Sequence, residues 1–326
     1  MNVMVTGGSG FIGTNLMEHY AHLGCNVLNI DIAPPRNSAH LRYWKQLDIR
    51  DSSQLHKAVH TFSPNLILHM AARTDLEGKS LSDYSANTDG VQEMIKVAGD
   101  LPDLHRVIFA SSMLVCALGY APKNDSDYCP TTRYGESKVI GEGYVRDLAK
   151  GRFAWTIVRP TSFWGPWFDV PYKNFFEAVA KRVYMHPKGR RICRSYGFVL
   201  NAIHQIGRIA SYRVSDLVDE RTLYLADYQP IDLLHWANVI STQCGVLPPR
   251  ELPLGLLRCC AVVGDSLKQM GVVHHPSLTT FRLNNLLTEA VFDLSPVESI
   301  VGTLPYDMKQ GVEITVDWMR KAREGV

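Results

Sequence analysis

The sequence lacks the features of a membrane-spanning or strongly charged protein. It contains no run of about 18 apolar residues, so no transmembrane helix is predicted. Its start, MNVMVTGGSG, has neither the basic region nor the cleavage site of a signal peptide. The formal net charge is only +2, whereas a strong nucleic-acid binder carries a clustered basic excess. These absences predict a cytoplasmic protein with neither a nucleic-acid nor a membrane partner.

Cysteine pairs with metal-ligand spacing are also missing. The seven cysteines are scattered and form no Cys-x-x-Cys pattern, so we expect reduced thiols and no bound metal. The adjacent His274 and His275 have no cysteine or carboxylate pattern around them. Cys116 is interpreted as a small buried packing residue rather than a reactive thiol. The basic run from Lys188 to Arg194 indicates a small anion as partner rather than a polynucleotide.

Apolar stretches alternate with amphipathic ones through the first half of the chain. Five of the apolar stretches are predicted to be buried strands separated by helices: 2–7, 26–31, 65–71, 106–111 and 154–160. Continuous apolar strands between helices are typical of a parallel sheet covered on both faces. The sequence therefore predicts a doubly wound, Rossmann-type α/β fold.

The alternation of apolar and amphipathic stretches ends after Pro160. The segment 163–176 is rich in aromatic residues, glycine and proline, and we interpret it as a shaped loop. We expect a Rossmann domain at 1–165, to whose sheet a strand and a helix near 195–212 return. The remainder, 166–326, is predicted to be mainly a smaller α/β lobe that binds substrate.

A glycine-rich turn follows the first strand. Gly7, Gly10 and Gly13 recur at every third position of VTGGSGFIG, between a strand and a helix. Missing Cβ atoms let the backbone approach a pyrophosphate, and the helix N-terminus offers it free N–H groups. This context is the one that a dinucleotide-binding fingerprint requires.

Asp31 ends the second predicted strand. A carboxylate there accepts hydrogen bonds from a ribose hydroxyl and repels a 2′-phosphate, which favours NAD over NADP. The alternative interpretation is a turn aspartate before Pro34.

Two pairs of polar residues are candidates for catalysis. Tyr134 and Lys138 are four apart at a predicted helix start and therefore share one face. An ammonium near a tyrosine favours the phenolate, which can take a hydroxyl proton while hydride leaves the same carbon. Ser111 and Ser112 end a buried strand at the edge that faces the ligand in such sheets. We prefer Ser112 as the partner of Tyr134 and expect Ser111 to satisfy local backbone.

These motifs together resemble the extended short-chain dehydrogenase/reductase family, specifically its NAD-dependent epimerase/dehydratase group. They are, in order, TGGSGFIG, Asp31, LDIRD, HMAA, Asn87, the serine pair, YGESK and VRP, and the resemblance covers nearly the whole chain. It implies NAD as cofactor, a nucleotide-diphosphate sugar as substrate, and a homodimer formed by the helices near Val91 and at 134–150.

The resemblance also assigns roles to individual residues. It implies a catalytic set of Ser112, Tyr134 and Lys138. It implies substrate contacts by Asn174 and Arg194. The cofactor contacts that it implies are Gly7, Gly10, Phe11, Ile12 and Gly13 at the pyrophosphate, Asp31 at the ribose, Asp48 and Ile49 at the adenine, and Ala71, Ala72, Asn87, Tyr134 and Lys138.

The residues after the serine pair narrow the reaction. Nucleotide-sugar 4,6-dehydratases carry an Asp-Glu pair where Met113 and Leu114 stand, and neither of these can transfer a proton. Reductase-epimerases that act at C3 and C5 place a cysteine at 113 and a histidine at 167. A C4 epimerase that retains NAD and a 4-ketoreductase that consumes NAD(P)H both remain, and Asp31 favours the epimerase. A non-catalytic NAD-binding protein is disfavoured because the tyrosine and lysine are both present.

Overall fold

Two units divide the residues that the computed structural model describes, which are 1–169, 171–212, 215–271 and 278–324. The first unit comprises Met1–Phe168, Gly197–Tyr228 and Asp293–Tyr306. The second comprises Asp169–Tyr196, Gln229–Phe292 and Asp307–Val326, as far as these are described.

A parallel sheet forms the centre of the first unit. Its strands are β1 (Asn2–Thr6), β2 (Asn26–Asp31), β3 (Trp44–Gln46), β4 (Leu66–His69), β5 (Arg106–Ala110), β6 (Trp155–Pro160) and β11 (Arg221–Leu225). The strand order is β11-β6-β5-β4-β1-β2-β3, and every neighbouring pair is parallel. The order reverses between β1 and β4, which is the point where doubly wound sheets bind ligands at the carboxyl ends of their strands.

Helices cover both faces of this sheet. Because successive strand side chains point to opposite faces, Val3 and Val5 enter one buried cluster and Met4 enters another. The first cluster includes residues of α1 (Phe11–His22), α6 (Val199–Ser211) and α10 (Ser295–Val301). The second includes residues of α2 (Ser52–Phe62), α3 (Ser85–Ala98) and α4 (Arg133–Leu148). The predicted Rossmann-type fold is confirmed.

The second unit combines helices with short strand pairs. Its helices are α5 (Tyr172–Ala180), α7 (Leu233–Cys244), α8 (Leu254–Gln269), α9 (Thr280–Leu287) and α11 (Met308–Glu324). Strands β8 (Met185–Pro187) and β13 (Arg250–Leu252) are parallel, while β9 (Cys193–Arg194) and β12 (Ile231–Asp232) are antiparallel. Trp236 of α7 stacks on Phe175 of α5, with ring centroids 4.7 Å apart.

The structure corrects two predictions for the middle of the chain. The strand near 195–212 is β10 (Tyr196–Phe198), which pairs with β7 (Ser162–Trp164) and not with the central sheet. The strand that joins the sheet beside β6 is β11, and α6 packs in the first buried cluster. The segment 163–176 is not a loop throughout, since α5 begins at Tyr172. Pro171 is compatible with that start because the N–H groups of a first helical turn have no partner within the helix.

Gly13 permits the closest backbone approach in the first unit. A Cβ there would lie 2.0 Å from the Gly7 oxygen and 2.7 Å from the Gly8 Cα. We expect Gly13→Ala to lower the free energy of unfolding by about 1–3 kcal/mol, because backbone must shift. Gly143→Ala in α4 is the matched control: it has open space around it and should raise stability by about 0.5–1 kcal/mol. Urea denaturation measures both, and equal effects would contradict this packing.

Asp227, just after β11, fixes the start of α6. Its carboxylate accepts hydrogen bonds from the Phe198 N–H (3.1 Å) and from the Asn201 amide (2.8 Å). Burial raises the pKa of Asp227 to about 7, although these two bonds oppose the rise. The folded protein therefore holds a proton that the unfolded chain loses near pH 4.

A pH series tests this buried acid. Since the pKa is raised on folding, the stability contribution of Asp227 is present below about pH 4 and is lost as the pH rises through about 7. Asp227→Asn cannot titrate. We therefore subtract the melting temperature of the natural protein from that of Asp227→Asn at each pH. We expect this difference to be higher at pH 8 than at pH 4. A difference that does not vary with pH would show that Asp227 titrates normally.

Candidate active site

The glycine turn lies against the segment that follows β4. Gly7 has a φ of +70°, and a Cβ there would lie 2.7 Å from the Ala71 nitrogen. The Gly10 N–H donates to the Gly7 oxygen at 3.0 Å, which closes the turn before α1. The backbone is therefore tightly folded at the carboxyl ends of β1 and β4, on either side of the switch point.

The N-terminus of α1 offers a site for an anion. Gly10 is its N-cap and supplies no side-chain cap, and the first turn contains no acidic residue. The first hydrogen bond of the helix runs from the Thr14 N–H to the Gly10 oxygen (2.8 Å). The N–H groups of Phe11, Ile12 and Gly13 precede that bond and are the donors that a helix start presents to phosphate. This arrangement fits the pyrophosphate of a dinucleotide.

Asp31 lies beside this turn, at the end of β2. Its two carboxylate oxygens accept from the Ser9 N–H and from the Ala33 N–H, both at 3.0 Å. These bonds fix the carboxylate, and each oxygen keeps a lone pair for a ribose hydroxyl.

The other predicted cofactor contacts have distinct environments. Asp48 is a partly buried partner of Arg50, whereas Ile49 is buried in the second cluster. Ala71 and Ala72 follow β4 after Met70 and are partly buried. The Asn87 amide donates to the Arg73 oxygen and to the Ser137 hydroxyl, and its oxygen accepts from the Arg73 N–H. Both amide hydrogens of Asn87 therefore serve the protein, and the cofactor contacts of all these residues stay predictions.

The structure brings Ser112, Tyr134 and Lys138 together. Ser112 begins a 3₁₀ turn (Met113–Val115), and Tyr134 and Lys138 lie on one face of α4. The Ser112 hydroxyl accepts a hydrogen bond from the Leu114 N–H (3.1 Å), and it lies near enough to the Tyr134 hydroxyl to lower the pKa of the phenol. The Lys138 ammonium donates to the Ala110 oxygen (2.8 Å) and lies 6.0 Å from the centre of the Tyr134 ring. All three side chains are at least nine-tenths buried.

Burial shifts both titratable groups of this set toward their neutral forms. It raises the pKa of Tyr134 to about 12, and the nearby Ser112 hydroxyl opposes that rise only in part. It lowers the pKa of Lys138 to about 8, while the charge of Glu142 acts in the other direction. The protein alone therefore keeps the phenol protonated at neutral pH.

A buried ion pair lies behind these three residues. The carboxylate of Glu142 accepts from the Nε (2.8 Å) and Nη2 (2.7 Å) atoms of Arg159, and from the Ser111 hydroxyl (2.5 Å). Burial raises the pKa of Glu142, but the bonds and charge of Arg159 outweigh burial, and the net shift is downward. Ser111 thus binds a side chain of α4, which corrects the expectation that it satisfies local backbone.

The sequence analysis overlooked Glu142 and Arg159, although signals for both exist. Glu142 follows Lys138 by one helical turn, so the same i, i+4 rule that paired Tyr134 with Lys138 places it on their face. Arg159 is a charged residue in an otherwise apolar strand. A buried charge of this kind requires a partner.

The predicted substrate contacts belong to the second unit. Asn174 is an exposed residue of the first turn of α5. Arg194 is buried and donates to the Asn285 oxygen. Their contacts with substrate stay predictions. Cys116 is buried, and burial raises the pKa of its thiol, which agrees with a packing role.

One group among the described residues has metal-ligand geometry. His56, His60 and Asp100 hold three potential ligand atoms within 4.8 Å of one another, and none of them belongs to the candidate site. His274 and His275 lie outside the described residues. Within the described ranges, we also find no helix with the length and apolar content to cross a bilayer.

We expect Glu142→Gln to lower the free energy of unfolding by about 3 kcal/mol or more, because it leaves Arg159 buried beside a neutral group. Glu136→Gln, also in α4, is the matched control. It removes an exposed partner of Arg133 and should cost about 1 kcal/mol or less. Denaturant unfolding compares the two, and similar small losses would contradict a stabilising role for the buried pair.

The fold and site define a Rossmann-type enzyme that binds a dinucleotide. The family model described as "NAD dependent epimerase/dehydratase family" matches residues 3–193. The chain therefore belongs to the NAD-dependent epimerase/dehydratase family, as the motifs predict, and its cofactor is NAD.

Known proteins extend this similarity over the whole chain. An N-acetyl-α-D-glucosaminyl-diphospho-ditrans,octacis-undecaprenol 4-epimerase of Escherichia coli O157:H7 is 25% identical over 330 residues, which cover 97% of this chain and 95% of that protein. A 3β-hydroxysteroid dehydrogenase/Δ5→4-isomerase of Mycobacterium tuberculosis is 29% identical over 267 residues, covering 76% and 70%. The structure of the Thermotoga maritima UDP-glucose 4-epimerase with UDP-glucose matches at a TM-score of 0.75 and 17% identity, covering 99% and 100%.

Proposed function

We propose that this protein is a C4 epimerase of a nucleotide-diphosphate sugar and that it acts through a transient 4-keto intermediate. One observation carries the proposal: Ser112, Tyr134 and Lys138 meet beside a glycine turn suited to NAD. The side chains of Met113 and Leu114, which directly follow Ser112, cannot transfer the protons that a dehydration needs. The 4-epimerases among the similar proteins support the same reaction.

Each residue has one task in the proposed reaction. Tyr134 takes the proton of the C4 hydroxyl, and Ser112 holds the same oxygen by a hydrogen bond. NAD, held by the glycine turn at the start of α1 and by Asp31, would supply the hydride chemistry at C4. Tyr134 then gives its proton back to the C4 oxygen. No atom is gained or lost, so the reaction needs no external oxidant or reductant.

The pKa of Tyr134 explains why proton removal is coupled to the cofactor. With a pKa near 12 the phenol is a poor base in the protein alone. A positive charge close to the ring favours the phenolate, and the nicotinamide of oxidised NAD carries one. Lys138 is held by the Ala110 oxygen and can add its charge on the same side.

The amount of bound cofactor separates the epimerase from a 4-ketoreductase. An epimerase keeps NAD through every cycle, so we expect near-stoichiometric NAD in the supernatant of the purified, denatured protein. A ketoreductase exchanges its cofactor at each turnover. Empty protein that oxidises NADH or NADPH with a keto-sugar would contradict the proposal.

Tyr134→Phe tests the proton transfer. It should lower the rate of C4 epimerisation by about 10²–10⁴-fold while NAD stays bound, because only the proton acceptor is lost. Tyr144→Phe in the same helix is the matched control and should retain full activity. Product analysis by NMR measures both, and undiminished turnover by Tyr134→Phe would show that another group accepts the proton.

The group to which the sugar is attached is tested by comparing two substrates in this assay. Nucleotide sugars are the proposed substrates. The E. coli relative, by its name, acts on a sugar joined through diphosphate to a polyprenol, and this chain covers that relative almost completely. UDP-N-acetylglucosamine and the corresponding undecaprenyl diphosphate should therefore be compared, and turnover of the polyprenyl substrate alone would correct the carrier.

A further inference from the structure

Helix α8 exposes an apolar face to solvent. Its inner positions Leu257 and Ala261 pack on Leu283 of α9 in a small buried cluster. Its outer positions recur at helical spacing, and their exposed fractions run from 49% to 67% at Leu256, Val262, Val263 and Met270. Cys259 and Cys260 are exposed between them. The helix is therefore apolar on both sides, although only one side is covered by α9.

An ordinary surface helix keeps charged residues across its solvent side. In α8, Arg258 and Lys268 are exposed and Asp265 is partly buried, but on a helical wheel all three lie outside the arc of Val262, Val263 and Met270. Phe281 of the neighbouring α9 is 71% exposed. Contiguous exposed apolar residues of this kind mark an interaction surface.

Basic residues lie at the beginning of the same helix. The Lys188 N–H donates to the Leu252 oxygen at 2.8 Å, two residues before α8 starts. Lys188 and Arg190 have exposed side chains, and so does Arg258 in the helix itself. The segment from Arg250 through α8 contains two acidic residues, Glu251 and Asp265. The Asp265 carboxylate already accepts a hydrogen bond from the Thr280 N–H (3.0 Å). The segments 188–190 and 250–268 thus contain five basic residues (Lys188, Arg190, Arg250, Arg258 and Lys268) against these two acidic ones.

We propose that the outer face of α8 docks on an anionic phospholipid membrane. The apolar side chains enter the boundary between headgroups and acyl chains, and Lys188, Arg190 and Arg258 bind the headgroup phosphates. The helix has 16 residues and a length of about 24 Å, too short to cross a hydrocarbon core of about 30 Å. It therefore lies in the membrane surface.

A second copy of the chain fits this face less well than a membrane does. A two-fold interface is built from the same patch on both subunits. Such a contact covers the apolar side chains but brings no anions to the basic residues near the start of α8, whereas anionic headgroups neutralise them. The proposal differs from the sequence-based expectation of no membrane partner, and it does not depend on the proposed reaction.

Vesicle flotation of the purified full-length protein tests the docking. We expect the protein to float with vesicles of phosphatidylcholine and phosphatidylglycerol, and less with phosphatidylcholine alone. Lys188→Gln with Arg190→Gln should lower the partition coefficient by about fivefold per charge. A protein that stays in the soluble fraction with both kinds of vesicle would overturn the proposal.

Matched variants separate the α8 face from general hydrophobicity. Leu256→Gln, Val263→Gln and Met270→Gln together should lower flotation about tenfold or more. Leu23→Gln, Leu41→Gln and Leu76→Gln remove three exposed leucines of the first unit and should leave flotation unchanged. Equal losses in both sets would contradict the assignment. So would a lipid-free dimer that the α8 variants dissociate, since a second copy would then cover the face.

The two cysteines of α8 allow a test without substitution. Cys259 and Cys260 are exposed, and the other five thiols are buried or partly buried. A water-soluble maleimide should therefore label α8 first, and anionic vesicles should slow that labelling severalfold. An unchanged labelling rate in the presence of vesicles that the protein has bound would show that another surface makes the contact.

Discussion

The buried pair of Glu142 and Arg159 is the interaction on which the site depends. Arg159 is the penultimate residue of β6, and Glu142 lies one turn beyond Lys138 on α4. Their two hydrogen bonds tie this helix to the carboxyl edge of the sheet, and the bond from Ser111 ties the same carboxylate to the end of β5. This pair therefore helps to hold the face of α4 that carries Tyr134 and Lys138.

This anchor also sets the electrostatics of the site. The negative charge of Glu142 partly offsets the effect of burial on Lys138, whose pKa still falls to about 8. The effect of burial on the pKa of Tyr134 is opposed only in part, by Ser112, and the phenol keeps its proton in the protein alone. In the proposed reaction the phenol therefore needs the positive charge of oxidised NAD before it can accept a proton. Such coupling would prevent proton abstraction before a hydride acceptor is bound.

The sequence predicted the fold, the cofactor and the three residues Ser112, Tyr134 and Lys138 that the structure brings together, because each carries a local signal. Gly7, Gly10 and Gly13 mark the turn, and the spacing of Tyr134 and Lys138 fixes one helical face. Features that depend on long-range contacts were harder to predict. The partner of Ser111 lies 31 residues away, and the return of β11 to β6 requires pairing across the whole middle segment. The exposed face of α8 could not be predicted from the sequence, because an apolar residue is assigned to the core until its neighbours are known.

The central claim is that hydride leaves C4 and returns to it within one active site. The most direct test uses a nucleotide sugar that carries deuterium at C4, with NADH of natural isotopic composition added to the solution. The account predicts that the C4-inverted product keeps its deuterium and that the added NADH acquires none. Inversion with loss of the deuterium to solvent or to NADH would contradict it.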